Sequence, residues 1–122
     1  MDPITIAAAR HALALAFPAA FEPPRSGRRK RPLKIGITRE LYDRVLGEDG
    51  QPLSRTKIRA AVADYCRGKR YHEAAAAGGA RIDLQGEPAG EITEAERAYH
   101  ETQLRRFRDR PARAAKEVAH GR

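Results

Sequence analysis

The sequence predicts an α+β domain, mainly helical and compact, with a short strand and a small β-hairpin. Three observations carry this. Four stretches show helical spacing of apolar residues or a helix-start signature, and two short stretches show strand or hairpin signals. A chain of 122 residues is also long enough for one modest core and too short for two.

Asp2 and Pro3 suit an N-cap and the first position of a helix. Ile6, Ala9, Leu13, Ala16 and Phe17 follow on one face, and Pro18 ends the pattern. The loop "PAAFEPPRSGRRKRP" has Phe21 as its anchor. The segment Arg25 to Lys34 holds six basic residues and no acidic one. In "LKIGI", Leu33, Ile35 and Ile37 alternate as one face of a strand, which leaves Lys34 and Gly36 on the other. A half-buried edge strand with Lys34 as a protective charge would also give this pattern.

"TRELYDRVLG" reads as a short helix with Thr38 as N-cap and Leu41 and Val45 as core positions. "GEDGQP" reads as a turn. "SRTKIRAAVADYCRGKRY" is the clearest helix. Ser54 is its N-cap, Ile58, Ala61, Val62 and Tyr65 form its apolar stripe, and Arg55 and Arg59 share one shoulder. "RIDLQGEPAGEI" reads as a hairpin, and Thr93 with Glu96 forms a capping box for the last helix. That helix has no clean stripe: Ala95, Ala98 and Tyr99 favour one face, Leu104 and Phe107 another. The expected domain covers 1–108, and the basic stretch 109–122 reads as a flexible tail.

Lys and Arg number 24 against 16 Asp and Glu, a net charge of +8, with a pI near 10.2. Such a surplus favours a polyanionic partner. The charge is polarised. Ser54 to Arg70 carries six basic residues and one aspartate, whereas Gln85 to Gln103 carries five glutamates and one arginine. Cys66 is the single cysteine, so no internal disulfide can form, and its place beside the stripe suits a small core filler. No apolar run approaches the roughly 20 residues of a membrane span. The N-terminus lacks the basic start of a signal peptide, and a cytoplasmic location is expected.

Catalysis finds little support. The four histidines are scattered without metal-ligand spacing. His72 beside Glu73 reads as a solvated helix end rather than an acid–base pair. The expectation is no enzyme, no metal and no cofactor. Phosphate binding has more to stand on. The helix opening at Ser54 presents free backbone N–H groups beside Arg55 and Lys57. Tyr71 reads either as a base-stacking ring or as a core aromatic with a wet tip.

"FPAAF", "RPLKIGI", "LSRTKIRAAVADYCRGKRY" and "GGARIDLQGEPAGEI", over roughly Ile4 to Leu104, resemble the ProQ/FinO-type RNA-binding domain of bacterial RNA chaperones. The resemblance implies binding to structured RNA, above all terminator-like hairpins with a free 3′ single-stranded tail. It further implies a role as a stabiliser or matchmaker of small RNAs and messenger 3′ ends in post-transcriptional regulation. Lys34 matches a motif lysine that meets RNA phosphate, and Gly36 leaves room for close approach. Ser54, Arg55 and Thr56 match a helix start that holds the 3′-terminal backbone, and Arg59 matches the basic residue one turn later. Arg70, Tyr71 and Arg81 match the arginine, tyrosine and hairpin arginine of a pocket for the 3′ end. Ala63 stands where some members carry another arginine, which implies a weaker grip on the stem. A monomer is expected. The rival reading is a small basic DNA-binding protein with helix-turn-helix-like helices around "GEDGQP".

Overall fold

The computed structural model describes the backbone of residues 1–120 and the side chains of residues 1–109. Helix α1 spans Pro3–Ala16, and the Asp2 carboxylate accepts from the Thr5 amide as its cap. A loop then leads to a short helix α2, Ile37–Leu41. Helix α3, Arg55–Arg67, starts at Ser54, whose Oγ accepts from the Lys57 amide. Helix α4 covers Lys69–Ala76. Strands β1, Ala80–Ile82, and β2, Pro88–Glu91, pair antiparallel. Helix α5, Glu94–His120, closes the order. Its capping box is made in both directions: the Thr93 amide donates to Glu96 and the Glu96 amide to Thr93. Among the described residues no helix is long and apolar enough to cross a membrane.

Helix α3 is the centre of the packing, with α1, α2 and α4 against it and α5 against α4. Its whole expected stripe, Ile58, Ala61, Val62 and Tyr65, is buried with Leu13, Phe21, Leu41 and Val45. Phe21 meets Tyr65 edge-on at 5.2 Å, and the Tyr65 hydroxyl accepts from the Glu22 amide at 3.1 Å. Tyr65 thus fastens the start of the loop to the core, through this aromatic pair and a hydroxyl that also donates to the Ala20 carbonyl at 3.5 Å. Aromatic pairing of this kind adds about 0.5–1.5 kcal/mol beyond area burial.

Four sequence expectations need correction. The "LKIGI" strand shrinks to a single parallel bridge between Leu33 and Ile82. The chain then turns, with the Ile37 amide donating to the Lys34 carbonyl at 3.2 Å. Gly36, at φ 87° and ψ 4°, occupies the third position of that turn, as a type II turn requires. Ile35 is consequently 72% exposed. Gly36 also stands at the N-cap of α2 without a side-chain bond, so Thr38 is not the cap. The long central helix breaks at Gly68, whose extended backbone (ψ 161°) ends α3 and starts α4. Glycine yields easily there because it contributes little to holding a helix together.

The fourth correction concerns His72, at the contact between α4 and α5. The inner face of α5 runs through Glu96, Arg97, His100, Leu104 and Phe107, whereas Ala95 and Ala98 face outward and Tyr99 stands at the edge, largely exposed but with its ring 6.2 Å from that of His72. His72 is buried on α4, not solvated. Its Nδ1 lies 2.8 Å from Nδ1 of His100. The His72 ring also lies near Tyr99, His100 and Phe107. One imidazole donates and the other accepts, so the pair tolerates one shared proton but not two imidazolium ions. Burial lowers the pKa of both below the ordinary 6.5, with His72 adding to the effect on His100. Lys30 and Arg81 face the pair as cations and Glu96 as the opposing anion.

The unfolded chain therefore binds protons here more readily than the folded one. The contribution of this pair to stability should be level above pH 6.5 and fall as pH drops below it through the lowered folded values. Thermal unfolding between pH 7.5 and 5.5 should show this loss, and the double variant His72→Leu/His100→Leu should show much less of it. An equal pH dependence in both proteins would place its origin elsewhere.

Candidate nucleic-acid interface

The nine sequence-predicted residues fall into four places. Ser54, Arg55, Thr56 and Arg59 gather at the start of α3. The Arg55 guanidinium lies over the Tyr42 ring, 4.6 Å from its centroid. Arg59 donates from Nη1 to the Tyr42 hydroxyl at 3.2 Å and from Nη2 to Thr56 Oγ1 at 3.4 Å. Among the described residues neither arginine has an acidic partner, so both charges remain available to an anion. Tyr42 was not legible as part of this group, because it reads as an ordinary member of a short helix.

Lys34 and Gly36 sit on the turn leading into α2, whose far end carries Tyr42. Lys34 is ion-paired with Glu40 at 2.7 Å, and that hydrogen bond and charge raise its pKa. An RNA phosphate would have to exchange with a carboxylate at this position. At Gly36 an added Cβ would meet nothing within 4 Å, so the glycine is required by its left-handed φ rather than by crowding.

Arg70 lies beyond the other end of α3, about 20 Å away at 1.5 Å per residue. It donates to the Gly27 carbonyl at 3.1 Å. With Arg29, Lys30 and Arg31 it lines a groove of about 590 Å³, together with Glu73 and the small residues Ala74, Ala77, Gly78 and Ala80. Four cations thus face one groove. Lys30 is partly structural. Its ammonium donates to the Tyr65 carbonyl at 2.8 Å and lies over the Tyr65 ring. In that position it satisfies a last-turn carbonyl of α3. Burial, with Arg10 nearby, brings its pKa down to about 8.

Tyr71 and Arg81 do not face this groove as contact groups. Tyr71 is 6% exposed, and its hydroxyl accepts from the Leu33 amide at 3.0 Å. Burial pushes that hydroxyl up to about 12. Arg81, with a side chain 11% exposed, donates to the Leu33 carbonyl at 2.8 Å and pairs with Glu96 at 2.8 Å. The two residues grip both polar groups of Leu33 and so fix the backbone that presents Lys34. Of the two readings of Tyr71, the core ring matches this structure. Its ring offers no free face for a base in this conformation.

Tyr71→Phe keeps the ring and removes the acceptor, leaving the buried Leu33 N–H unpaired. A loss of about 1–3 kcal/mol is expected. Amide exchange at Leu33 should accelerate alongside the fall in melting temperature. Unchanged exchange would mean that this bond does not hold the segment.

Residues 5–117 match the ProQ/FINO family. Two solved structures are similar. One is the crystal structure of NMB1681 from Neisseria meningitidis MC58, a FinO-like RNA chaperone. It is 27% identical, with 80% of this chain and 89% of that chain covered and a TM-score of 0.57. The other is the solution structure of a ProQ homolog from Legionella pneumophila. It is 24% identical, with 87% of this chain and 85% of that chain covered and a TM-score of 0.65. The second likeness is one of fold. Because the family match extends over nearly the whole described chain, this protein belongs to the ProQ/FinO family.

Proposed function

We propose that this chain is an RNA chaperone that binds structured RNA without catalysis, favouring terminator-like hairpins with a free 3′ tail. The observation that carries the reading is the pair Arg55 and Arg59 at the amino end of α3. They are exposed, hold no acidic partner among the described residues, and flank backbone N–H groups at the positive end of the helix dipole. Family membership supports the same reading, as does the similarity to a FinO-like RNA chaperone. In this reading the start of α3 takes the 3′-terminal backbone. Lys34 and the groove at Arg29, Arg31 and Arg70 take phosphates of the adjoining stem, and Gly36 sets the turn that carries Lys34. Tyr71 and Arg81 contribute from behind, by holding Leu33. The protein would work in the cytoplasm as a monomer, stabilising or pairing small RNAs and messenger 3′ ends.

Two measurements test the reading. In a salt titration, log K should fall with log salt by about 0.7–0.9 for each phosphate held. Arg59→Ala should reduce that slope while leaving the melting temperature nearly unchanged. A flat titration would remove the electrostatic contact from the account. In a competition assay, a linear hairpin with a free 3′ tail should bind more tightly than its circularised form and more tightly than duplex DNA. Equal binding of linear and circular RNA would leave only a general cationic binder, and preference for duplex DNA would favour the helix-turn-helix rival.

A further inference from the structure

The grouping around Tyr42 goes beyond an arginine pair at a helix start. Tyr42 ends α2, where the backbone opens to ψ 132°, and Asp43 follows in the left-handed region at φ 64°. That sharp exit delivers the ring to the first turn of α3 instead of continuing α2. There it meets two guanidinium groups in two different ways: its face lies under Arg55 and its hydroxyl accepts from Arg59. We propose that Tyr42 is a positioning residue that holds Arg55 and Arg59 as a two-pronged clamp for consecutive backbone phosphates. The inference rests on the reading of the chain as an RNA binder, and it adds a residue that the motif match did not supply.

Three features make the ring suited to this work. An aromatic face and a phenolic oxygen attract guanidinium groups without neutralising them, so no ion pair has to break when a phosphate arrives. Lys34, tied to Glu40, lacks this advantage. Both arginines retain N–H donors beyond these contacts, since Arg59 spends one on Tyr42 and one on Thr56. Their spacing of four residues puts them on neighbouring turns, with Cβ atoms about 5–6 Å apart. A free arginine loses rotamer freedom on gripping a phosphate, and a side chain already held in place loses less. Tyr42 therefore acts through the arginines, lowering the ordering cost of the complex without touching the RNA.

The test uses the full chain, a terminator-like RNA hairpin with a free 3′ tail, and nitrogen relaxation of the arginine Nε groups in the RNA-free protein. Tyr42→Leu should weaken the hairpin by about three- to tenfold and increase the mobility of both Arg55 and Arg59. Tyr42→Phe, which preserves packing, should free Arg59 alone and cause a smaller loss. In an Arg55→Ala/Arg59→Ala background, Tyr42→Leu should have no further effect on affinity. An undiminished effect there would show that Tyr42 touches RNA itself and would overturn the proposal. So would unchanged arginine mobility in both Tyr42 variants. If the wild-type chain binds no hairpin, the RNA reading fails separately. Inorganic phosphate then serves as the probe: its titration of the Arg55 and Arg59 Nε signals should weaken in Tyr42→Leu, and an unchanged titration would overturn the clamp.

Discussion

The peptide of Leu33 is the point on which the rest of the arrangement depends. Its N–H donates to Tyr71 from α4, its carbonyl accepts from Arg81 of β1, and its side chain is buried. The flanking Pro32 carbonyl and Lys34 amide both bond to Ile82. Arg81 passes the connection on to Glu96 at the start of α5. A loop, a helix, a hairpin and a second helix are thus joined through one backbone unit. A buried peptide must have its polar groups satisfied, so this segment has little freedom to shift without losing several bonds at once. Lys34 and the turn at Gly36 inherit their position from it.

Acidic partners decide which positive charges are free to meet an anion. Arg10 and Arg67 share Asp64, Arg28 meets Glu22, Lys34 meets Glu40, and Arg81 meets Glu96. Arg55 and Arg59 are instead held by a neutral tyrosine, and Arg70 by a backbone carbonyl. Held without neutralisation, these cations keep their field and many of their donors. They lie at opposite ends of α3, and an extended polyanion would span both better than a small ligand would.

The contact between α4 and α5 follows a different logic. An apolar stripe is the usual means of docking a helix, and α5 has none among its described residues. His72, His100, Tyr99, Tyr71 and Phe107 supply ring-to-ring contacts in its place, with a histidine pair inside. Rings with polar atoms pack as tightly as aliphatic ones when those atoms find partners. The docking is consequently tied to protonation, which an aliphatic seam would not be.

Local patterns were readable from the sequence wherever neighbours along the chain supply the interaction. The caps at Asp2 and Ser54, the box of Thr93 with Glu96, the stripe of α3 and the hairpin all belong to this class. So does the cationic start of α3, since Arg55 and Arg59 lie one turn apart on the same helix. The strand at Leu33, the burial of His72 and the inward roles of Tyr71 and Arg81 depend on partners 28 to 48 residues away. Alternation in "LKIGI" could not reveal that only Leu33 finds a strand to pair with. Tyr42 carried no signal at all, because its partners Arg55 and Arg59 come from another helix. The sequence by itself determined the helices, their starts and a charge that calls for a polyanion. Tertiary structure alone decided which polar groups are buried against one another and which cations stay free, because burial and pairing arise only when distant segments meet.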